Sequence, residues 1–467
     1  MGIASILNIA KNSLFAQQTA MQVISNNIAN VNTKGYCRLD PDLREAPLIP
    51  TDYGLFGNGV EIAGFVRYFD KFLETTIAQR NTDLQEQKTA VTYFERIESI
   101  LNEDSSNLAT NVSEFFNGWQ ELSADPANLA RRSSLVAKGA NLARTIRNIY
   151  TELNAIQREL DQQVQGEVDE INSLTASIAD LNEKIIALGN SSQSEASDYL
   201  NQRSELLNEL SGKIKVTSFE DQDGGVTILT ENGSALVDKT RSWNLQTQFD
   251  PATGFRTIAW NDGAGNLSNI TGTITSGRLK ALIEMRDQYL GDGFIADINN
   301  LAQTIITEVN NRHMEGYGLN GATGVAFFNQ TTSDFARNMD LSVEVKTDVQ
   351  YIAAASSSDN YSGNDNALSI ASLNDEDFII GGQNTRFSTY ISTVMSNIGD
   401  LTKNAQDLSD HQESAMTIMV QQRESRSGVS IDEELAKLMK YQYAYQAAAR
   451  LISVADEMFQ TMLEVGR

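Results

Sequence analysis

IASILNIAKNSLFAQQTAMQVISNNIANV (residues 3–31) reads as one helix with a single apolar seam. Ile3, Leu7, Ala10, Leu14, Met21, Ile24, Ile28 and Val31 follow alternating steps of four and three, and Gln17 is the one polar occupant of the series. The other end of the chain repeats this spacing at Ile431, Leu435, Leu438, Tyr441, Tyr445, Ala448, Ile452, Ala455, Phe459 and Met462. Such a seam is buried only against another helix. Two of them, one at each end, predict that the termini pair as a coiled coil and close the rest of the chain into one loop. A thin helical pair has little surface of its own to bury, which points to assembly with further copies.

The chain has 467 residues, enough for several domains. Its 61 acidic and 36 basic residues give a net charge of −25, so nucleic acid and anionic membranes are not expected partners. Cys37 is the single cysteine, which rules out an internal disulfide framework and a multi-thiolate zinc cluster. No apolar run is long enough to span a membrane. The N-terminus does not read as a secretory leader either, because Lys11 is the only basic residue before Lys34 and Asn8, Gln17 and Gln22 break up any apolar core.

Between the seams the periodicity changes several times. The asparagines and glycine of SNNIANVNTKGY end the first helix. Residues 36–65 carry Pro41, Pro47 and Pro50 and read as an irregular or short-stranded connector. Helical patterns follow through Leu84, Phe94 and Ile97, then Val112, Phe115 and Trp119. A long one runs from about 135 to 188, roughly 80 Å, with Gly166 as a possible bend and Gly189-Asn190 as its stop. DYLNQRSELLNELSG ends at Gly212. From 213 to 276 short alternating segments (KIKVTSF, GVTILT, ALVD, FRTIAW, NLSNIT) predict a β-rich domain. The expected fold is therefore mainly α with an inserted β domain. Residues 1–35 with 428–467 form the terminal coiled coil, and 66–212 with 277–315 and 391–427 form a helical rod domain. Residues 213–276 form the outer β-rich domain, and 316–390 a mixed, loop-rich region.

No catalytic constellation stands out. His313 and His411 are too few for a multi-histidine metal site, and His313 reads as a cap at a helix end. Cys37 reads as a small half-buried thiol. Asp221-Gln222-Asp223-Gly224 lacks the spacing and closing glutamate of a calcium loop. No P-loop, nucleotide fingerprint or serine elbow occurs, and no cofactor or metal is expected. The terminal helices carry the functional signal instead. Tyr441, Tyr443 and Tyr445 cannot share one helical face, and Ala447, Ala448 and Ala449 run round the cylinder. The last helix is thus apolar or small on more than one side, a surface that neighbours would bury. Both ends are expected to be mobile alone and to order on assembly.

SNNIANVNTKGYCR (25–38) closely resembles the N-terminal signature of the axial proteins of the bacterial flagellum, the rod, hook and hook-associated proteins. The signature positions are Asn26, Asn27, Asn30, Asn32, Thr33, Gly35, Tyr36 and Arg38. Lys34 and Cys37 depart from that family's commonest residues, often proline and serine. The segment 427–465 is similar to the same family's terminal helix. FFNGWQELSADPANLARR (115–132), DYLNQRSELLNELSGKIKV (198–216) and VNNRHMEGYGLNGATGVAFF (309–328) resemble the hook-associated branch.

This resemblance implies a structural adaptor, not an enzyme, that joins hook to filament. It implies export through the flagellar type III channel without a cleaved signal, an extracellular place at the hook–filament junction, and terminal helices lining an inner tube. The implied partners are the hook protein, the second junction protein, copies of the chain in a helical ring, and a cytoplasmic chaperone at the C-terminal region. The alternatives are the hook subunit or another axial protein, then a secreted enzyme or an adhesin.

Overall fold

The computed structural model describes residues 3–51, 54–102, 108–189 and 193–465; the Asn190 half of the expected helix stop lies outside them. The fold is mainly α with small antiparallel sheets inserted. Helix α1, Ile3–Ala29, leads into a β-hairpin, the short-stranded of the two forms expected of the connector. Its stem pairs β1 (Leu39–Glu45) with β4 (Val60–Arg67), bulged between Asp42 and Leu43. Its tip pairs β2 (Ile49–Thr51) with β3 (Gly54–Phe56). The prolines Pro41 and Pro50 sit in two-stranded ribbons, where a missing N–H need not interrupt a central ladder.

Helices α2 (Lys71–Asn102), α3 (Leu108–Ser123), α4 (Leu129–Leu188) and α5 (Gln193–Lys213) build the body. Asn128 caps α4, its side-chain oxygen accepting from the N–H groups of Ala130 and Arg131 at 3.0 and 3.3 Å. At 60 residues, α4 is about 90 Å long, and it continues unbroken through Gly166. Its apolar series Leu142, Ile146, Ile149, Leu153, Leu160, Val164 and Ile171 is fully buried.

The β-rich region forms two sheets against the C-terminal half of α4. One contains β5 (Val216–Glu220), β6 (Val226–Thr230), β7 (Ala235–Asp238) and β8 (Arg241–Ser242) in sequence order. The other places β10 (Arg256–Asn261) between β9 (Leu245–Phe249) and β11 (Leu267–Asn269). Polar residues of α4 fasten these strands. Asn172 exchanges two 2.8 Å hydrogen bonds with the Leu245 backbone, and Asn182 binds both backbone groups of Val226. Asp161 accepts from the Arg256 N–H and from the Arg286 guanidinium. The sheets' apolar side chains join the same core as the helices.

Next come α6 (Arg278–Glu284), a π-helical stretch (Met285–Ile295) kinked at Gly293, and α7 (Ala296–Glu315). Residues 316–390 contain the short helices α8 (Phe335–Asn338), α9 (Val343–Thr347) and α10 (Asp365–Ser372), then the hairpin β12 (Phe378–Ile380) and β13 (Gln383–Thr385). His313 organises the start of this region. Its ring does not cap α7; it lies fully buried between Trp119 and Phe327, with Nδ1 2.7 Å from the Val325 carbonyl and Nε2 accepting from Ala353 N–H at 2.9 Å. Helix α11 (Phe387–Ser427) then packs along α2, and α12 (Ile431–Val465) packs along α1. Gly428 separates the last two helices, and a Cβ there would run into the Glu424 carbonyl.

Candidate assembly site

The two terminal helices lie antiparallel, the C-terminal end of α1 meeting the N-terminal end of α12. Both helices bury small residues, Ala10, Ala16 and Ala20 on α1 and Ala448 and Ala455 on α12. On α1, Ala10 and Ile24 of the expected seam are buried, while Ile3, Leu7, Leu14, Met21, Ile28 and Val31 are half-buried. Gln17 is buried too, and its Oε1 has no hydrogen-bond partner. On α12, Leu438, Tyr441 and Ile452 are half-buried, whereas Ile431, Leu435, Tyr445, Phe459 and Met462 are exposed. Phe459 lies on the inward face, but α12 extends about 10 Å past the described start of α1, leaving it and Met462 uncovered.

The signature forms the knot at the base of this pair. Asn27, at 0% exposure, has all four of its hydrogen-bonding positions filled. Its Nδ2 donates to the Leu39 carbonyl and to Glu434 Oε2, both at 2.8 Å. Its Oδ1 accepts from the Leu39 N–H at 3.1 Å and from the Tyr36 hydroxyl at 2.9 Å. One side chain thus joins α1, β1 and α12. Burial, followed by the nearby Asp198 and Glu434 carboxylates, pushes the Tyr36 hydroxyl up to about 12, so it remains a donor.

Glu434 is itself fully buried and accepts from Lys437 Nζ at 3.0 Å, and Lys437 also donates to Asp40 at 2.8 Å. Burial acts to lower the Lys437 pKa, but its hydrogen bonds to Asp40 and Glu434 together raise it. Arg38 stacks 4.2 Å over the Tyr68 ring and donates to Glu433, while its backbone N–H holds the last carbonyl of α11, that of Ser427, at 2.9 Å.

The other signature residues shape the turn. Asn30 donates to the backbone and side-chain oxygens of Asn26 at 3.0 Å and accepts from the Thr33 hydroxyl. Gly35 adopts φ +76°, where a Cβ would lie 3.1 Å from Glu205 Oε2. Lys34 ion-pairs with that same glutamate. Asn32 and Thr33 are exposed. Cys37 is buried against Arg67, and burial raises its thiol pKa. Asp40, Tyr68, Glu434 and Lys437 escaped sequence reasoning, although Glu434 sits one heptad before Tyr441, at a position where a charge is out of place.

Among the described residues, no group of three or more His, Cys, Asp or Glu side chains could hold a metal ion, and no helix is long and apolar enough to cross a membrane. What the site offers is surface. Beyond the alanine seam, α12 exposes Leu435, Met439, Tyr443, Leu451, Val454 and Met458 along the face turned away from α1.

Paired termini that carry an axial signature, closed around a helical body, define a flagellar axial protein. Residues 7–36 match the model of the flagella basal body rod protein, and 420–465 that of the basal body rod FlgEFG protein C-terminal region. Residues 94–328 match the helical domain of flagellar hook-associated protein FlgK, and the chain belongs to this family.

Flagellar hook-associated protein 1 of Bacillus subtilis strain 168 is 25% identical over 498 aligned residues, covering 98% of this chain and 97% of that protein. Its counterpart in Escherichia coli K12 is also 25% identical, over 99% of this chain and all of the relative. In fold, the flagellar hook junction protein FlgK of Burkholderia pseudomallei superposes with a TM-score of 0.66 at 14% identity, over 76% of this chain and 100% of that one.

Proposed function

We propose that this structural flagellar protein is the adaptor that joins hook to filament, built into the flagellum by self-assembly of its terminal helices. The observation that carries this reading is the second apolar stripe of α12, from Leu435 to Met458, which is left exposed among the described residues. A monomer gains nothing from such a stripe, whereas copies packed side by side bury it. In this reading the alanine seam pairs α1 with α12 inside each subunit, and the stripe and tyrosines pack between subunits.

The partners proposed are the hook protein on one side, the second junction protein on the other, and copies of the chain between them. Export through the type III channel, delivery by a chaperone that holds the C-terminal region, and an extracellular final position complete the proposal. It assigns no catalytic step to any residue. The relatives' shared name, hook-associated protein 1, supports the place at the hook.

Co-sedimentation with isolated hooks tests it. Full-length protein is expected to pellet with the hooks, and protein lacking residues 1–35 to stay in the supernatant. Ile452→Asp, which sets a charge into the half-buried seam, is expected to behave like the truncation while retaining the circular dichroism of the body. Equal pelleting of all three proteins would move the hook contact to the body.

A further inference from the structure

Oxidisable sulfur is unevenly placed in this fold. The chain holds 11 methionines and one cysteine. Among the described residues the exposed methionines are Met439 at 53%, Met458 at 46% and Met462 at 66%, and all three are on α12. Met285 and Met339 are sealed in the core, and Met21, Met314, Met395, Met416 and Met419 are half-buried. Cys37 is buried, and burial raises its thiol pKa, which keeps it out of the reactive thiolate form. The sulfur most open to an oxidant in solution is therefore the thioether sulfur of α12.

Those three positions coincide with the surface that assembly uses. Met439 and Met458 belong to the stripe turned away from α1, about 28 Å apart along the helix axis, and Met462 sits on the overhang beyond the described start of α1. Flexible, unbranched methionine suits a face that adapts to a neighbour, and its sulfur is the part of that face that chemistry can change. With hydrogen peroxide, an S–O bond forms as the O–O bond breaks. The sulfur loses two electrons, and the remaining hydroxyl takes up the proton of the transferred oxygen and leaves as water. The product, methionine sulfoxide, is polar and carries an acceptor oxygen. In the free subunit that oxygen stays hydrated, whereas burying it between apolar side chains without a donor is costly.

We propose that Met439, Met458 and Met462 form an oxidation site through which hydrogen peroxide blocks incorporation of the free subunit. Packing of copies covers Met439 and Met458, so the modification acts before assembly and not after it. Methionine sulfoxide reductases reverse it. This rests on the self-assembly reading above and adds a chemical control on it.

The test treats soluble full-length protein briefly with hydrogen peroxide, quenches it, and sediments it with isolated hooks. Peptide mass spectrometry maps the oxygen taken up. Uptake at Met439, Met458 and Met462 is expected at least tenfold faster than at the buried Met285 and Met339, and hook binding is expected to fall at least tenfold. Methionine sulfoxide reductases acting on both sulfoxide epimers should restore it. Even uptake over all methionines, binding unchanged by oxidation, or a loss that the reductases do not reverse each overturns the oxidation site and leaves self-assembly standing. Failure of the untreated protein to bind hooks overturns both. Protein already bound to hooks should take up oxygen at Met439 and Met458 at least tenfold more slowly than free protein; equal rates would show that assembly leaves the stripe open, and also overturn both. Met439→Leu/Met458→Leu/Met462→Leu protein, measured against its own untreated sample, should lose less than twofold on oxidation. A tenfold loss there would place the effect on another residue, and if that variant does not bind at all, reductase rescue of the wild type decides.

Discussion

The helical body and the terminal pair are both helical, yet they are held together in different ways. The body buries its largest side chains completely: Trp119, Phe115, Phe116, Phe327 and Phe328 meet edge-to-face or tilted around His313 in one continuous core. The terminal pair buries alanines, Val23, Ile24 and a polar knot, and leaves Leu435, Leu451, Met439, Met458, Phe15 and Phe459 in solvent. A body that satisfies itself folds as a monomer; a pair that buries so little depends on neighbours. The comparison predicts two separable stabilities, with the body's set by its own sequence and the pair's by the concentration of copies.

The strongest way to break that separation is Trp119→Ala. Emptying the centre of the aromatic cluster should cost the body about 3–5 kcal/mol, read as a lower denaturant midpoint with an unchanged m-value. Amide exchange in α1 and α12 should stay as it was, and faster exchange there would show that the two regions unfold together.

Acid should act next, again on the body alone. Burial lowers the His313 pKa from 6.5 to about 4, so between those values the unfolded chain binds a proton that the folded chain refuses. The contribution is complete above about pH 6.5 and is lost as pH falls, on the order of 3 kcal/mol once pH reaches about 4. Denaturation curves of wild type and His313→Gln should therefore converge on acidification; a constant gap would show that His313 does not titrate as its burial requires.

The smallest effect falls on the pair. Asn27→Ala removes four hydrogen bonds and strips buried Glu434 of one donor, costing about 1–3 kcal/mol. It should appear as faster exchange in the first turns of α12 with the body's midpoint unmoved. A shift of that midpoint would show that the knot supports the body as well.

The parts that were legible in sequence are those with a period. The seams of α1 and α12, the apolar rows of α4 and several of the strands follow from spacing alone. The hairpin at 39–67 was obscured by its prolines, which are tolerated because both ribbons are two-stranded. LQTQF, the strand β9, was obscured because only Leu245 among its residues is buried. Glu434 sets a charge at a seam position, but its partner Asn27 lies at the other end of the chain, and no spacing links the two. His313 likewise reads as a helix-end cap, since its two ring partners lie 12 and 40 residues downstream. Long-range polar contacts of this kind leave no trace in local pattern.

The chain enters and leaves its terminal pair through one doorway. The outgoing segment at Arg38 and the last residue of α11, Ser427, are laced by a backbone hydrogen bond, with Asn27 and Glu434 joined just beyond. Two segments braced side by side form a stiff strut where a single tether would form a swivel. Torque applied to the terminal pair would then pass into the body as rotation of the whole subunit, and would not be lost in twisting a linker.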